Sequence, residues 1–406
     1  MKDEFDAVVV GGGPCGSFSA FTMARHGMNV AVCEEHREIG VPTHCAGHLS
    51  LSGLTRLDLH LPSSIVENMF KRAVLYSPNG NELSVGSDSP ATCVVNRGLF
   101  DKYLSDLAKK AGAQYLLESR AESFVTDSGF IRGIAIRKRE AKQTLTSNLV
   151  VDAEGCSSAL LRRTGLQTLD RSMIVNAVQT EVDRIDNVDI NNVELYLGRK
   201  YAPGFFAWII PKRDDSAKIG LATNVGNPRE YLYRFTQKHP VASKKLRKSK
   251  ITSLCYHPIS LGGAIPKTYS NGLLTAGDAA SQVKATTGGG IIFGLLCSKI
   301  AGKVAYEALQ SHDFSEVFLS RYQSKWKRQI GFDLAVMRQI RKWLNRLSDD
   351  RIDRIIELCA KSGIDTVLED VGDLDFQGTS LIRMIRRPLT LVVALYFAFS
   401  AFVSST

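Results

Sequence analysis

Asp6-Ala7-Val8-Val9-Val10-Gly11-Gly12-Gly13-Pro14-Cys15-Gly16 is an apolar run broken by a glycine cluster, and a helix-like segment follows it to about His26. The order is strand, tight turn, helix. Gly11 permits the turn, Gly13 lets a pyrophosphate approach the backbone, and Gly16 lets the helix pack on its sheet, while the helix amino terminus faces the negative charge. A bare G-x-G-x-x-G is a weak signal, but here a second apolar strand, Asn29 to Cys33, ends at Glu34. That is near the ~20-residue spacing at which an acid grips the adenosine ribose hydroxyls. The expected class is α/β with a Rossmann-type nucleotide unit at its start.

A second cluster narrows the nucleotide. The apolar strand Leu273 to Ala276 ends in Gly277-Asp278-Ala279-Ala280, and Gly288, Gly289, Gly290 and Ile291 then open another helical stretch. An acid at a strand end suits a ribityl hydroxyl, and the amides that start a helix suit a pyrophosphate or the pyrimidine edge of a flavin. NAD has no ribityl chain to need this acid, so FAD is the expected cofactor. Only one dinucleotide fingerprint is present. The reductant therefore has no domain of its own: NAD(P)H binding transiently and ferredoxin are the two expected donors. The segment from Phe314 to about Lys361, mixing aromatic and basic residues at roughly helical spacing, is a candidate docking surface for an acidic donor.

A chain of 406 residues exceeds what one hydrophobic core usually serves, which suggests two intertwined domains and an appendage. Hydrophobic content of 44% with 23% charged residues excludes extensive disorder. The eight cysteines include no C-x-x-C pair and no histidine at metal-ligand spacing, so no metal site is expected and the compartment is read as reducing. Met1 to Asp6 is acidic and runs straight into a strand, which leads us to expect cytoplasmic residence. Leu389 to Val403 is almost wholly apolar and follows Arg386 and Arg387. It falls short of the ~20 residues of a spanning helix, so peripheral contact with the inner face of the cell membrane is expected. The net charge of +10 and the basic run Lys244, Lys245, Arg247, Lys248 and Lys250 suit anionic headgroups. No nucleic-acid partner is expected.

These residues and their spacing resemble the flavoprotein superfamily that shares the p-hydroxybenzoate hydroxylase fold. The resemblance covers nearly the whole chain except the last fifty or so residues. It implies that the helix from Arg97 to Ala111 leads with an arginine touching the cofactor, and that Asp152-Ala153-Glu154-Gly155 is the middle motif, with Glu154 in place of the usual aspartate. Within the superfamily, Glu38-Ile39-Gly40-Val41-Pro42-Thr43-His44-Cys45-Ala46-Gly47 is similar to the geranylgeranyl reductase family. Pro203, Phe206, Trp208 and Pro211 resemble that family's P-x-x-Y-x-W-x-F-P motif, with Phe206 for the tyrosine and Ile210 for the phenylalanine. Lys284-Ala285-Thr286-Thr287 also resembles it, Ala285 standing for a proline.

The resemblance implies an FAD-dependent enzyme that saturates isoprenoid double bonds, with membrane glycerophospholipids of archaeal type as the expected substrates. Cofactor contacts carry over to Gly11, Gly13, Cys15, Gly16, Glu34, Cys45, Ala46, Arg97, Ala121, Asp278, Gly289, Gly290 and Ile291. Cys45, Phe206 and Trp208 are the expected catalytic residues, the aromatic faces stabilising positive charge at the carbon awaiting hydride. The FAD-binding domain is expected in three parts, residues 1–70, 93–170 and 269–310. It is interleaved with a β-sheet substrate domain at 71–92 and 171–268 and followed by a helical region at 311–406. Two alternatives stand beside this: a flavin monooxygenase or halogenase, since Phe206, Trp208, Ile210 and Pro211 approach the halogenase W-x-W-x-I-P pattern, and a non-catalytic prenyl binder like the Rab GDP-dissociation inhibitors.

Overall fold

The computed structural model describes residues 4–251, 253–362 and 374–385. The apolar tail from Leu389 to Val403, with Arg386 and Arg387, lies outside them. Cα packing divides the chain into two compact units, one of Met1–Thr43, Arg97–Ser172 and Ser260–Leu334, the other of His44–Asn96, Met173–Ile259 and the chain from Ala335 onward.

The first unit is built on an eight-stranded sheet. Its centre is Glu4–Val10, lying parallel to Ala141–Asp152 on one side and Val30–Cys33 on the other. Ala7, Val8, Val9 and Val10 are all buried. A continuous apolar run of this kind, without alternation, marks a parallel strand covered on both faces. Leu273–Thr275 extends the sheet beyond Ala141–Asp152, and Gln114–Leu116 extends it beyond Val30–Cys33. The hairpin Ser119–Asp127 and Phe130–Lys138 joins antiparallel to Ala141–Asp152. Helix Pro14–Ala24 starts with proline at its first turn, where no N–H is missed. It packs on helix Ile291–Ser311 at close range: a Cβ on Gly302 would come within 2.6 Å of Thr22 Cβ.

The second unit carries a seven-stranded sheet and a three-stranded one. In the larger sheet Asn192–Leu197, Phe206–Pro211, Ala217–Thr223 and Ile174–Val182 are antiparallel neighbours. Val178, Tyr196, Ala207, Ile209, Ile219 and Leu221 face one way and form a core with Leu232 and Phe235 of helix Pro228–Lys238. Because side chains alternate along a strand, Gln179, Phe206, Trp208, Ile210, Lys218 and Gly220 belong to the opposite face. Part of that face, at Leu75 and Leu197, is covered by Ile352 and Ile356 of helix Asp349–Lys361.

The unit boundaries differ from those read in the sequence. Residues 44–70 go with the second unit, because His48–Ser50 and Val66–Phe70 pair antiparallel with Thr92–Val95 rather than with the parallel sheet. The helical carboxy-terminal stretch is shared, Glu316–Trp326 lying in the first unit and Asp349–Lys361 in the second. The basic run is not a uniform lipid-facing surface either. Lys245 turns inward to pair with the buried Glu194, and Lys248 pairs with Asp186. Among the described residues no helix is long and apolar enough to cross a membrane.

Candidate functional site

The glycine turn of the first unit is tightly packed at Gly11 and Gly16 and open at Gly13. Gly11 has φ +92°, and a Cβ there would stand 2.5 Å from Ala153 O. A Cβ on Gly16 would lie 1.8 Å from Gly11 O, so only glycine lets the helix sit this close to the strand. Around Gly13, by contrast, a Cβ would meet nothing within 4 Å. Gly13 caps helix Pro14–Ala24 and Gly290 caps Ile291–Ser311, each without a side-chain oxygen on the first amides. Two helix amino termini are thus left with N–H groups and partial positive charge for the oxygens of an anionic ligand. Gly12 N donates to Glu34 Oε2 at 2.8 Å, holding the acid at the lip of the turn. The other oxygen, Oε1, accepts from His36 N at 2.9 Å.

Asp278 is half-buried in the turn after Leu273–Thr275, and a Cβ on Gly290 would fall 2.7 Å from its Oδ1. Burial raises its pKa, and the nearby Arg97 guanidinium pulls the other way. Arg97, at the start of helix Arg97–Lys110, forks onto Asp101 through Nε and Nη2 at 3.0–3.2 Å. The Asp278 turn has its own support: Gly277 N donates to Gln282 Oε1, Gln282 Nε2 to Tyr322 Oη, and Tyr322 Oη to Thr275 O, at 2.8–3.0 Å. The cradle, the held Glu34 and the desolvated acid fit a dinucleotide with a ribityl chain.

On the second unit's sheet, Trp208, Gly220 and Gln179 are register neighbours across three strands. The indole lies over Gly220, where a Cβ would come within 2.5 Å of Trp208 Cζ2. Phe206 meets Trp208 edge-on at 6.2 Å between centroids and stacks on Phe205 at 4.1 Å. Arg341, buried in helix Phe332–Leu344, stands over the Phe205 ring at 4.8 Å. Trp208 Nε1 and Gln179 Oε1 are buried on this face without a hydrogen-bond partner in the structure. The Cys45–Ala46 segment belongs to this unit as well, with Gly47 N donating to Cys45 Sγ at 3.4 Å. The arrangement is an aromatic and apolar face at Phe206, Trp208, Ile210 and Gly220, with Gln179 and Lys218 as its buried polar members.

A family model for FAD dependent oxidoreductases matches residues 6–205, and one for the geranylgeranyl reductase catalytic domain matches residues 173–255. The digeranylgeranylglycerophospholipid reductase of Methanocaldococcus jannaschii is 32% identical over 370 residues, covering 90% of this chain and 93% of its own. A second reductase of that name, from Methanothermobacter thermautotrophicus, is 33% identical over 87% of this chain and 91% of its own. The chain belongs to the geranylgeranyl reductase family of FAD-dependent oxidoreductases. A geranylgeranyl bacteriochlorophyll reductase-like structure from Thermoplasma acidophilum superposes with a TM-score of 0.86 at 27% identity, over 97% of this chain and 99% of its own. A flavin-dependent brominase superposes at a TM-score of 0.68 with 15% identity, over 99% of this chain and 97% of its own, a likeness of fold alone.

For a geranylgeranyl reductase family member, the placement of the expected residues is uneven. Gly11, Gly13, Gly16, Glu34, Arg97, Asp278, Gly289, Gly290 and Ile291 all lie in the first unit at turn or helix-start positions. Ala121, also in that unit, is half-buried in Ser119–Asp127, whose first amide donates to Glu34 O at 2.8 Å. Cys15 turns its thiol inward, since Cβ atoms on Gly277 or Gly294 would each come within 2.5 Å of its Sγ. Burial pushes that thiol's pKa up to about 12, so only the Cys15 backbone is offered to a ligand. Cys297, buried near it, is raised too. Glu154 has a local structural role: its carboxylate accepts from Leu160 N and Leu161 N at 2.9–3.0 Å. His36, Asp101, Gln282, Tyr322, Arg341 and Lys218 were not foreseen. Asp101 had a findable signal, the i, i+4 spacing from Arg97; for the rest, the contacts depend on chain packing.

Proposed function

We propose that this reductase saturates the carbon–carbon double bonds of geranylgeranyl chains carried on membrane glycerophospholipids of archaeal type. The observation that carries the proposal is the sheet face on which Phe206, Trp208 and Ile210 stand beside Gly220 and Ala222. A long hydrocarbon gains about 25 cal/mol for each Å² it removes from water, and such a wall asks for no polar group in return.

FAD supplies a hydride to one alkene carbon when bound in its reduced form, and the other carbon takes a proton. Gly11, Gly13, the Cys15 backbone, Gly16, Gly289, Gly290 and Ile291 would hold the pyrophosphate and flavin edge. Glu34 would take the adenosine ribose and Asp278 the ribityl chain, with Arg97 and Ala121 lining the site. The faces of Phe206 and Trp208 stabilise positive charge on the carbon that awaits hydride, and both rings keep water away from it. NAD(P)H or ferredoxin returns the electrons. The lipid is taken from the inner face of the cell membrane, which accounts for the apolar tail and the exposed Lys244, Arg247 and Lys250.

The test is anaerobic: the purified protein is reduced with dithionite, geranylgeranylated glycerophospholipid is added, and the lipid is analysed by mass spectrometry. The expected result is a gain of one H2 per double bond with reoxidation of the flavin. A flavin that reduces and reoxidises only with oxygen, leaving every double bond intact, would overturn the proposal in favour of oxygen-dependent chemistry.

A further inference from the structure

Lys218 is a lysine in the middle of a strand, only 4% exposed, on the face that carries Trp208 and Gly220. Burying an ammonium costs several kcal/mol unless it is well paired. Its Nζ donates to Val95 O at 2.9 Å and Ala46 O at 3.1 Å, and stands 2.5 Å from Glu67 Oε2. Glu67 Oε1 lies 3.5 Å from Lys212 Nζ, which is 3.1 Å from Glu181 Oε2 near the surface. The two carbonyls come from chain segments that already touch, Val95 N donating to Gly47 O at 2.9 Å. One side chain of the large sheet therefore ties the Cys45–Ala46–Gly47 turn, in which Gly47 takes φ +75°, to the end of strand Thr92–Val95.

We propose that Lys218 is a positioning residue that fixes the Cys45–Ala46 turn over the Trp208 face, so that two separate chain segments make one substrate-facing surface. This rests on the reading of that face as the wall for an isoprenoid chain. Two carbonyls accept from the ammonium and the Glu67 carboxylate holds it as an ion pair, so its charge is taken up by the protein rather than offered to substrate. A buried pair kept only for stability is readily replaced by apolar residues of similar volume. What an apolar residue cannot reproduce is convergence on two carbonyls from neighbouring segments.

The test uses the full-length holoenzyme with Lys218→Met and Lys218→Arg. Methionine keeps the length and removes the charge. Arginine keeps the charge for Glu67, but its planar fork cannot meet two carbonyls arranged around an ammonium. Three quantities are read: FAD content, the rate at which iodoacetamide alkylates Cys45 as mapped by mass spectrometry, and kcat and KM on the prenyl lipid. Both variants are expected to keep FAD, to alkylate Cys45 about tenfold faster, and to lose about tenfold in kcat with a smaller change in KM, the size expected for losing a charge-assisted hydrogen bond. Wild-type alkylation and kcat in a folded variant would overturn the proposal, and if Lys218→Met does not accumulate, Lys218→Arg decides. A wild-type enzyme inactive on prenyl lipid would sink the substrate reading instead, while the alkylation rates would still report on Lys218.

Discussion

Gly12 and Glu34, 22 residues apart, are joined by a hydrogen bond of 2.8 Å from the glycine amide to Oε2. The bond links the strand–helix turn to the end of the next strand and fixes the carboxylate at the lip of the turn, where it is proposed to take the adenosine ribose. Hydrogen bonds to charged groups contribute about 1.5–3 kcal/mol, so Glu34→Ala is expected to weaken FAD binding by roughly ten- to a hundredfold. Asp278→Ala is expected to do the same from the other end of the cofactor. The visible flavin band of each purified variant, followed by titration with FAD, checks both. Stoichiometric FAD in both variants would refute the site assignment.

Gly16→Ala tests the turn itself. Its Cβ would be placed 1.8 Å from Gly11 O, a backbone atom that cannot swing away as a side chain can. Overpacking typically costs 1–3 kcal/mol, and backbone overlap puts this change at or above the upper end. The expected outcome is a lower urea midpoint and loss of flavin, while Gly13→Ala, which meets nothing within 4 Å, is expected to leave the midpoint nearly unchanged. A Gly16→Ala protein as stable as wild type would show that the helix can retreat from the strand.

Some of this was legible in sequence because local rules decide it. The glycine turn, Glu34 and the acid at Asp278 follow from short-range spacing and strand ends, and a Rossmann unit leaves few alternatives for them. The separation of residues 44–70 was not legible, because antiparallel pairing of Val66–Phe70 with Thr92–Val95 is a long-range choice that no local pattern encodes. Lys218 was hidden for the same reason. A lysine in an alternating strand reads as solvent-facing, and it is the Glu67 carboxylate with the Ala46 and Val95 carbonyls, brought against that strand, that makes its burial tolerable. Lys245 fails similarly: the basic run reads as one surface, yet Glu194 draws one member inside.

A change at Trp208 is expected to separate cofactor binding from turnover. The indole covers Gly220 and meets Phe206 edge-on, all within the second unit. Trp208→Phe keeps an aromatic face of smaller area, and the loss of about 1 kcal/mol of cation–π stabilisation translates to roughly a fivefold fall in kcat. FAD content is expected to be unchanged. Steady-state kinetics on the prenyl lipid together with the flavin spectrum check this, and unchanged turnover would remove Trp208 from the reacting surface.

His239 is expected to make the protein sensitive to acid. It is fully buried, with the Tyr196 and Tyr201 rings edge-on at 4.8 Å and Lys200 nearby. Nδ1 accepts from Val241 N at 3.2 Å and Ala242 N at 3.3 Å, so the neutral ring caps the start of helix Ala242–Lys245. Burial lowers its pKa to about 4, with Lys200 acting in the same direction. Unfolded, the ring titrates near 6.5. Between these values the unfolded chain binds the extra proton and the folded chain does not, so stability falls as pH drops. From pH 7 to pH 5 the loss is expected to be about 2 kcal/mol. His239→Asn, whose side-chain oxygen can take over the cap without titrating, is expected to remove most of that slope. Urea unfolding of both proteins at pH 7 and pH 5 measures it. Parallel losses in the two would mean that His239 titrates alike in the folded and unfolded chains, and that the acid sensitivity lies elsewhere.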